Sequence, residues 1–268
     1  MKKNKRIGAL IDELTGNPNK LYDSKHFCKK FDIAKSSLSE DIKMANEIFA
    51  ENGSGHIESI SGVGGGIKFV PGISMQDIIE LQNTIIEKLS DPSRILGGGF
   101  LYTADIMYDS HFVRDMARIF ADRFSSLNAD YVVTVETKGI PLASQVAFML
   151  NLPLVVIRRE AMYSEGSTVS INYFSGSTQG IAKMSIAKRA VSSKTEAIVI
   201  DDFMKGGGSL RGVKDILAEF DIVVVGIGVA LESRDPANKK VKNYSSILII
   251  DDIDEENRKI KISRSLNL

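Results

Sequence analysis

Apolar residues at the start of the chain recur with the period of an α-helix in three successive runs. The first run, from Ile7 to Leu14, repeats at helical intervals and stops before Gly16, which predicts one amphipathic helix. A second run begins after Asp23, a residue suited to cap a helix, and ends at Phe31. The third run covers residues 34–50 and follows a short break. Three short helices with a tight turn before the last one are typical of a helix-turn-helix.

Two strand-like runs follow, and they suggest that the helices belong to a winged helix. Residues 57–61 and 67–70 are separated by a glycine-rich stretch at 62–66, which predicts a hairpin with a flexible tip. In helix-turn-helix proteins the start of the last helix faces the major groove, where lysines suit phosphates and short hydroxyls suit base edges. A small protein-interaction module is the alternative. The residues expected to contact DNA are Lys3, Lys5, Arg6, Lys35, Ser36, Ser37, Ser39, Lys43, Gly64 and Gly65.

The pattern changes after Pro71-Gly72, and this change predicts a second domain. Ser74 with Asp77 resembles a capping box and begins a joining helix. Beyond residue 96 strands and helices alternate, which favours an α/β fold with a mostly parallel sheet and helices on both faces. We predict a DNA-binding domain at 1–73 and a second domain at 74–268. The expected strands cover residues 131–135, 153–157, 169–173, 184–187, 197–200, 222–231 and 247–250.

Composition indicates a cellular location but no preference for a positively or negatively charged partner. Lysine plus arginine and aspartate plus glutamate number 34 each in 268 residues, so the whole chain is neutral. The single cysteine, Cys28, excludes an internal disulfide and is interpreted as a small core residue in a reducing compartment. We find no apolar run long enough to span a membrane and no apolar core of a signal peptide. A cytoplasmic protein without a membrane partner is therefore expected.

One contiguous stretch carries the candidate chemistry. An apolar strand at 197–200 is followed by Asp201 and Asp202, and residues 205–209 (Lys-Gly-Gly-Gly-Ser) then lead into a helix. A glycine turn at a helix amino terminus presents backbone N–H groups to an anion, and carboxylates accept hydrogen bonds from the hydroxyls of a sugar. Together they predict a site for a ribose 5-phosphate. A dinucleotide-binding fold, the nearest rival, places its glycines before its acid.

The stretch resembles the phosphoribosyl pyrophosphate (PRPP) motif of the type I phosphoribosyltransferases. Residues 136–140 resemble their pyrophosphate-binding loop, and residues 34–42 resemble the recognition helix of the bacterial purine operon repressors. The resemblance to that repressor family implies a type I phosphoribosyltransferase-like fold behind the winged helix. The effector-binding residues that it implies are Tyr102, Thr137, Lys138, Gly139, Asp201, Asp202, Phe203, Lys205, Gly206, Gly207, Gly208 and Ser209.

The same resemblance implies a homodimeric transcriptional repressor of purine biosynthesis and salvage genes. Its partners would be double-stranded operator DNA and phosphorylated nucleotides, with PRPP as the inducer. Guanosine tetraphosphate (ppGpp) would compete with PRPP for the same pocket and preserve repression. Whether Mg²⁺ accompanies PRPP stays open. The stretch at 165–173 lies where the family carries a mobile lid, and a plain hairpin strand is the alternative there.

Two departures from the active enzymes argue against catalysis. Gly206 replaces the threonine that most active members carry, and Lys205 stands where hypoxanthine-type enzymes carry an acid. A protonated lysine cannot accept a proton, so the role of general base is lost. We therefore expect no catalytic residues, no cofactor, no resident metal and no transferase activity. The alternatives are an active purine phosphoribosyltransferase with an appended regulatory domain, and a protein-interaction adaptor.

Overall fold

The computed structural model contains eight α-helices and twelve strands in the part of the chain that it describes, residues 1–160, 164, 166–175 and 180–268. The helices are α1 (Lys3–Thr15), α2 (Ser24–Phe31), α3 (Lys35–Glu51), α4 (Met75–Leu89), α5 (Ala104–Met107), α6 (Ser110–Phe124), α7 (Gly139–Leu150) and α8 (Gly208–Ala218). The strands are β1 (Gly55–Ile60), β2 (Gly66–Pro71), β3 (Ile95–Gly97), β4 (Phe100–Leu101), β5 (Tyr131–Val135), β6 (Leu154–Ile157), β7 (Thr168–Ser175), β8 (Gly180–Ala187), β9 (Glu196–Met204), β10 (Val223–Ser233), β11 (Ser245–Asp254) and β12 (Lys259–Arg264).

The first seventy residues form three helices and an antiparallel hairpin, β1–β2, as the apolar pattern predicts. The Asp23 side chain caps α2 by accepting a hydrogen bond from the Lys25 N–H. The apolar faces of α1, α2 and α3 enclose a core around Phe27, which is fully buried, and Cys28 packs against this core as expected. Asn46 of α3 holds the hairpin, because its side chain exchanges two hydrogen bonds with the backbone of Ile57.

A six-stranded sheet in the order β12-β11-β10-β9-β5-β6 forms the centre of the remaining chain. All neighbouring strands are parallel except β12, which runs antiparallel to β11 at one edge. Helices α4, α6 and α7 cover one face, and α8 with the β7–β8 hairpin covers the other. The prediction of a mostly parallel sheet with helices on both faces is confirmed.

The strands expected at 169–173 and 184–187 do not join this sheet. They form a separate antiparallel hairpin, β7–β8, in agreement with the hairpin alternative to a lid; Glu165 lies outside the described residues. The physical reason is that polar and apolar residues alternate in β7, so it buries only one face, whereas a central parallel strand is apolar on both. Sequence reasoning also missed β3, β4, α5 and the edge strand β12.

The amino-terminal module contacts the sheet domain through side chains that donate to backbone carbonyls. Arg118 of α6 donates to the Gly72 oxygen at 2.6 Å and to the Gly53 oxygen at 3.1 Å. The Asn19 side chain donates to the Met149 oxygen at 2.8 Å. The division of the chain at residue 73 stays a prediction. No helix in the described ranges is long and apolar enough to cross a membrane.

Replacing Gly228 by alanine is expected to destabilise the sheet domain. A Cβ atom on Gly228 would lie 2.7 Å from two ring carbons of the buried Phe120 and 3.0 Å from Ile200 Cδ1. Overpacking costs about 1–3 kcal/mol, and a chain of this size loses roughly 2–4 °C of melting temperature per kcal/mol. Thermal unfolding should therefore show a melting temperature lower by roughly 5 °C.

Gly8→Ala on α1 is the matched control. A Cβ atom on Gly8 would have nothing within 4 Å, and alanine favours the helix, so the melting temperature should stay unchanged or rise. Equal melting temperatures for the two variants would contradict the tight packing of β10 against α6.

Candidate functional site

A cleft of about 630 Å³ opens at the carboxyl ends of the parallel strands. Ligands of open α/β sheets bind at this edge, because the loops that follow neighbouring strands meet there. One side of the cleft consists of the loops after β5 and β6, the end of β9 and the start of α8. The other side consists of the region from β4 to α5. The residues that line the cleft are Gly99, Phe100, Leu101, Thr103, Tyr108, Val135, Glu136, Thr137, Lys138, Arg159, Asp201, Asp202, Phe203, Met204, Lys205, Gly206, Gly207, Gly208, Ser209, Leu210 and Ile250.

The glycine turn at the start of α8 has the geometry of an anion site. Gly207 precedes the helix with φ +75°, a left-handed conformation that favours glycine, and a Cβ atom there would lie 3.2 Å from Val241 Cγ2. The first helical hydrogen bond runs from the Arg211 N–H to the Gly207 oxygen at 2.9 Å. The N–H groups of residues 208–210 precede that bond, so the helix does not use them and they suit a phosphate.

The two acids lie inside β9 rather than after it, because the strand runs on to Met204 instead of ending at Ile200. Asp201 is 7% exposed, and its Oδ1 accepts a hydrogen bond from the Asp202 N–H at 3.0 Å. Burial, aided by the negative charge of Asp202, raises the pKa of Asp201 well above its ordinary value. Burial also raises the pKa of Asp202, against a hydrogen bond from Asp201 and the charge of Lys138. Such perturbed pairs in a cleft are typical of functional sites.

The loop after β5 brings Thr137 and Lys138 to the cleft, as the sequence predicts. Glu136 fixes this loop to the end of β6, since its carboxylate accepts from the Arg159 N–H at 2.6 Å and from Arg158 Nη1 at 3.2 Å. Arg159, which the sequence offers for a dimer contact or an anion, lines the cleft and adds a second positive charge to it.

Gly139 lies beneath the cleft rather than on its surface. It begins α7, and a Cβ atom there would lie 2.6 Å from Thr134 Oγ1 and 3.0 Å from Asp201 Oδ1. Glycine therefore allows the start of α7 to approach the buried acid. Gly139, which the sequence predicts as a site residue, therefore supports the cleft from beneath and does not line it.

Tyr102 does not line the cleft. Its side chain is 47% exposed, and its ring lies 6.0 Å from the guanidinium carbon of Arg94. Phe100 and Tyr108 line that side instead, and Lys205 Nζ lies 5.3 Å from the centre of the Phe100 ring. No motif marks either aromatic residue, because Phe100 lies on β4 and Tyr108 follows α5, and both are distant in sequence from residues 201–209.

The residues predicted to contact DNA lie on α1, on α3 and in the turn of the hairpin, and all are exposed or half-buried; one of them is an exception, because a buried acid holds it. Five of these side chains are exposed: Lys5, Lys35, Ser36, Ser39 and Lys43. Ser37 is half-buried, and Lys3 forms an exposed ion pair with Glu40 at 3.5 Å. In the hairpin tip, Gly64 has φ +79°, and a Cβ atom on Gly65 would lie 2.2 Å from the Ile60 oxygen.

Arg6 is the exception. Its guanidinium forms two hydrogen bonds, at 2.7 and 2.9 Å, with the carboxylate of the buried Asp41. This bidentate contact between guanidinium and carboxylate ties α1 to α3. Arg6 therefore supports the amino-terminal module from within instead of standing free for a phosphate contact. Its partner is 35 residues away, so no local pattern revealed it.

The arrangement suits an anionic, hydroxyl-bearing ligand. Lys138, Arg159, Lys205 and the start of α8 line the same cleft as the acid pair, so positive charge and free amides face the space beside the two carboxyl groups. Within the residues that the structure describes, no group of three or more histidine, cysteine, aspartate or glutamate side chains is placed to hold a metal ion.

Comparison with known proteins identifies relatives for both parts of the chain. The family model described as "Bacterial purine repressor, N-terminal" matches residues 2–71, and the "Phosphoribosyl transferase domain" model matches residues 104–261. A probable purine biosynthesis transcriptional regulator of Streptococcus pneumoniae is 38% identical over 98% of this chain and 96% of that protein. A purine biosynthesis transcriptional activator of Lactococcus lactis is 36% identical over 98% and 97%. A purine biosynthesis transcriptional repressor of Bacillus subtilis is 38% identical over 96% and 92%.

The sheet domain also resembles solved structures. An adenine phosphoribosyltransferase from Thermoanaerobacter pseudethanolicus covers 62% of this chain and 98% of its own, with a TM-score of 0.53 and 18% identity. At that identity the likeness concerns the fold alone, and it confirms the predicted phosphoribosyltransferase-like architecture.

Replacing Asp201 by asparagine is expected to stabilise the protein. Asparagine keeps the Oδ1 acceptor for the Asp202 N–H but removes a charge whose burial is unfavourable. Stabilising exchanges commonly yield about 0.5–2 kcal/mol, so the melting temperature near pH 7.5 should rise by roughly 2–6 °C. A carboxyl with a raised pKa in the folded state destabilises only above its unfolded pKa of about 3.9, so the gain should shrink towards pH 4.

Asp252→Asn, at an exposed position on β11, is the control and should change the melting temperature little at any pH. A lower melting temperature for Asp201→Asn, or a gain that does not depend on pH, would contradict the unfavourable burial of Asp201.

Proposed function

Because the chain belongs to the family of bacterial purine biosynthesis transcriptional regulators, we propose that it represses purine biosynthesis and salvage genes by binding operator DNA through residues 1–73. PRPP binds in the cleft and relieves repression, and ppGpp competes for the same pocket. Two chains associate as a homodimer in the cytoplasm and present two winged helices to paired half-sites.

One observation carries the effector part of this proposal: the acid pair, the glycine turn and Lys138 line the same cleft. The amides of α8 and the turn receive the 5′-phosphate, and the carboxylates of Asp201 and Asp202 accept hydrogen bonds from the ribose hydroxyls. Lys138 and Arg159 attract the pyrophosphate group as positive charges. A buried carboxyl pair gains most from such donors, because hydrogen bonds favour its charged form.

Regulation follows from binding linkage. A ligand changes the affinity for operator only if it binds the DNA-bound and the free forms with different affinity. PRPP must therefore bind more tightly to the free form of the chain than to the DNA-bound form. In contrast, ppGpp must occupy the cleft without that preference.

The proposal assigns no transferase activity to the chain. Lys205 lines the cleft where a general base acts in hypoxanthine-type enzymes, and its ammonium lies close to the Phe100 ring and to the Gly98 oxygen, at 3.5 Å. A cation in that place attracts a second anionic group rather than removing a proton from a base. The regulators that match almost the whole chain support the same conclusion.

A gel-shift titration with a DNA fragment from upstream of purine genes tests the proposal. The complex should form without effector, dissociate with PRPP, and persist when ppGpp is added together with PRPP. Retention of DNA at saturating PRPP would reject the mechanism, and the lack of any shift would favour an adaptor. Release of pyrophosphate from PRPP that depends on a purine base would establish an active transferase. Transcription in vitro decides between repression and activation.

The double change Asp201→Ala, Asp202→Ala is expected to abolish the PRPP response while DNA binding persists. Loss of two charged acceptors for the ribose hydroxyls should raise the PRPP concentration needed for half-dissociation by at least about tenfold. The measurement is the gel-shift titration with the double variant.

The double variant Asp252→Ala, Glu256→Ala removes the same charge from exposed positions and is the control, which should respond to PRPP like the unaltered chain. Loss of DNA binding together with the PRPP response would contradict separate sites for operator and effector.

A further inference from the structure

The segment at 234–242, between β10 and β11, packs against the glycine turn from the side away from the cleft. None of its residues, all of which the structure describes, lines the cleft. Lys239 Nζ donates to the Lys205 oxygen at 2.6 Å and to the Ser233 oxygen at 2.5 Å. The Lys240 N–H donates to the Gly206 oxygen at 3.0 Å. Two consecutive carbonyls of the turn are thus held towards this segment.

The direction of these carbonyls fixes the direction of the amides that follow them. In a trans peptide unit the C=O and the N–H point to opposite sides, and the two peptide units from Lys205 to Gly207 are trans. With both carbonyls turned towards 239–240, the N–H groups of Gly206 and Gly207 point to the opposite side, where these residues line the cleft. Successive amides aimed in one direction form an anion-binding concavity.

We propose that Lys239 is a positioning residue for the effector phosphate. Its ammonium holds the Lys205–Gly206 peptide unit so that the Gly206 N–H faces the anion, and it places a positive charge behind the turn. The inference rests on the proposed function, since it concerns the same cleft, and it adds a residue that touches no ligand itself.

The surroundings of Lys239 suit this role. One of the two carbonyls that accept from its ammonium belongs to Ser233, the last residue of β10. Lys239 therefore ties the turn to the rigid sheet rather than to another loop. Burial lowers the pKa of Lys239, and the negative charges of Glu232 and Asp235 oppose that change and favour the ammonium form. An apolar side chain of similar length would fill the space without fixing either carbonyl.

The test compares Lys239→Met with Lys242→Met by calorimetric titration of ribose 5-phosphate and of pyrophosphate. Methionine keeps an unbranched side chain and removes the ammonium, and Lys242 is an exposed lysine three residues away that serves as the control. Lys239→Met should bind ribose 5-phosphate roughly tenfold more weakly than the control, because the turn loses its orientation. Its affinity for pyrophosphate should equal that of the control, since the loop at Thr137 and Lys138 receives that group.

Equal affinities of the two variants for ribose 5-phosphate would overturn the inference, and so would a parallel loss of pyrophosphate affinity, which indicates general damage to the cleft. If the unaltered chain binds neither compound, the proposed function itself fails. If it binds both and Lys239→Met binds like the control, only the role of Lys239 fails. Lys239→Gln, which keeps an uncharged N–H donor group, is measured in parallel and should lose less ribose 5-phosphate affinity than Lys239→Met. If methionine prevents folding, Lys239→Gln decides the question, and an affinity equal to that of the control would then overturn the role.

Discussion

Two adjacent carboxyl groups buried in β9 set the conditions for the rest of the cleft. Burial raises the pKa values of both carboxyl groups, and the negative charge of Asp202 raises that of Asp201 further, so their burial opposes folding at neutral pH. The fold keeps them there through close packing: Gly139 brings α7 against Asp201, and Gly207 brings α8 against the segment after β10. A site that is unfavourable in the free protein would gain correspondingly from a ligand that supplies hydrogen-bond donors, as the proposed effector does.

The sheet makes this arrangement rigid by linking each loop to the neighbouring strand. Glu136 fastens the loop after β5 to the end of β6, and Lys239 fastens the turn after β9 to the end of β10. Both links are charge-assisted hydrogen bonds, the stronger kind. These two loops are therefore held in fixed positions relative to the strands, and the groups that line the cleft are preorganised.

Local patterns in the sequence predicted what is local in the structure. The three helices and the hairpin follow from periodicity and turn residues, and the acid pair and glycine turn are contiguous, so both were found. The sequence did not reveal the partners of Arg6 and Lys239, because each makes its decisive contact more than thirty residues away. Phe100 and Tyr108 were missed for the same reason. The assignment of Tyr102 to the cleft came from resemblance alone, and its ring lies beside Arg94 instead.

The connection between the two parts of the chain suits regulation of modest strength. Helix α7 begins at Gly139, next to Asp201, and near its other end the Met149 carbonyl accepts a hydrogen bond from Asn19 of the amino-terminal module. Arg118 adds hydrogen bonds to two carbonyls of that module. Each bond contributes about 0.5–1.5 kcal/mol, or more where the donor is charged. Coupling between sites in proteins amounts to about 1–3 kcal/mol, so breaking or forming two or three such bonds on ligand binding is enough to change operator affinity by one to two orders of magnitude.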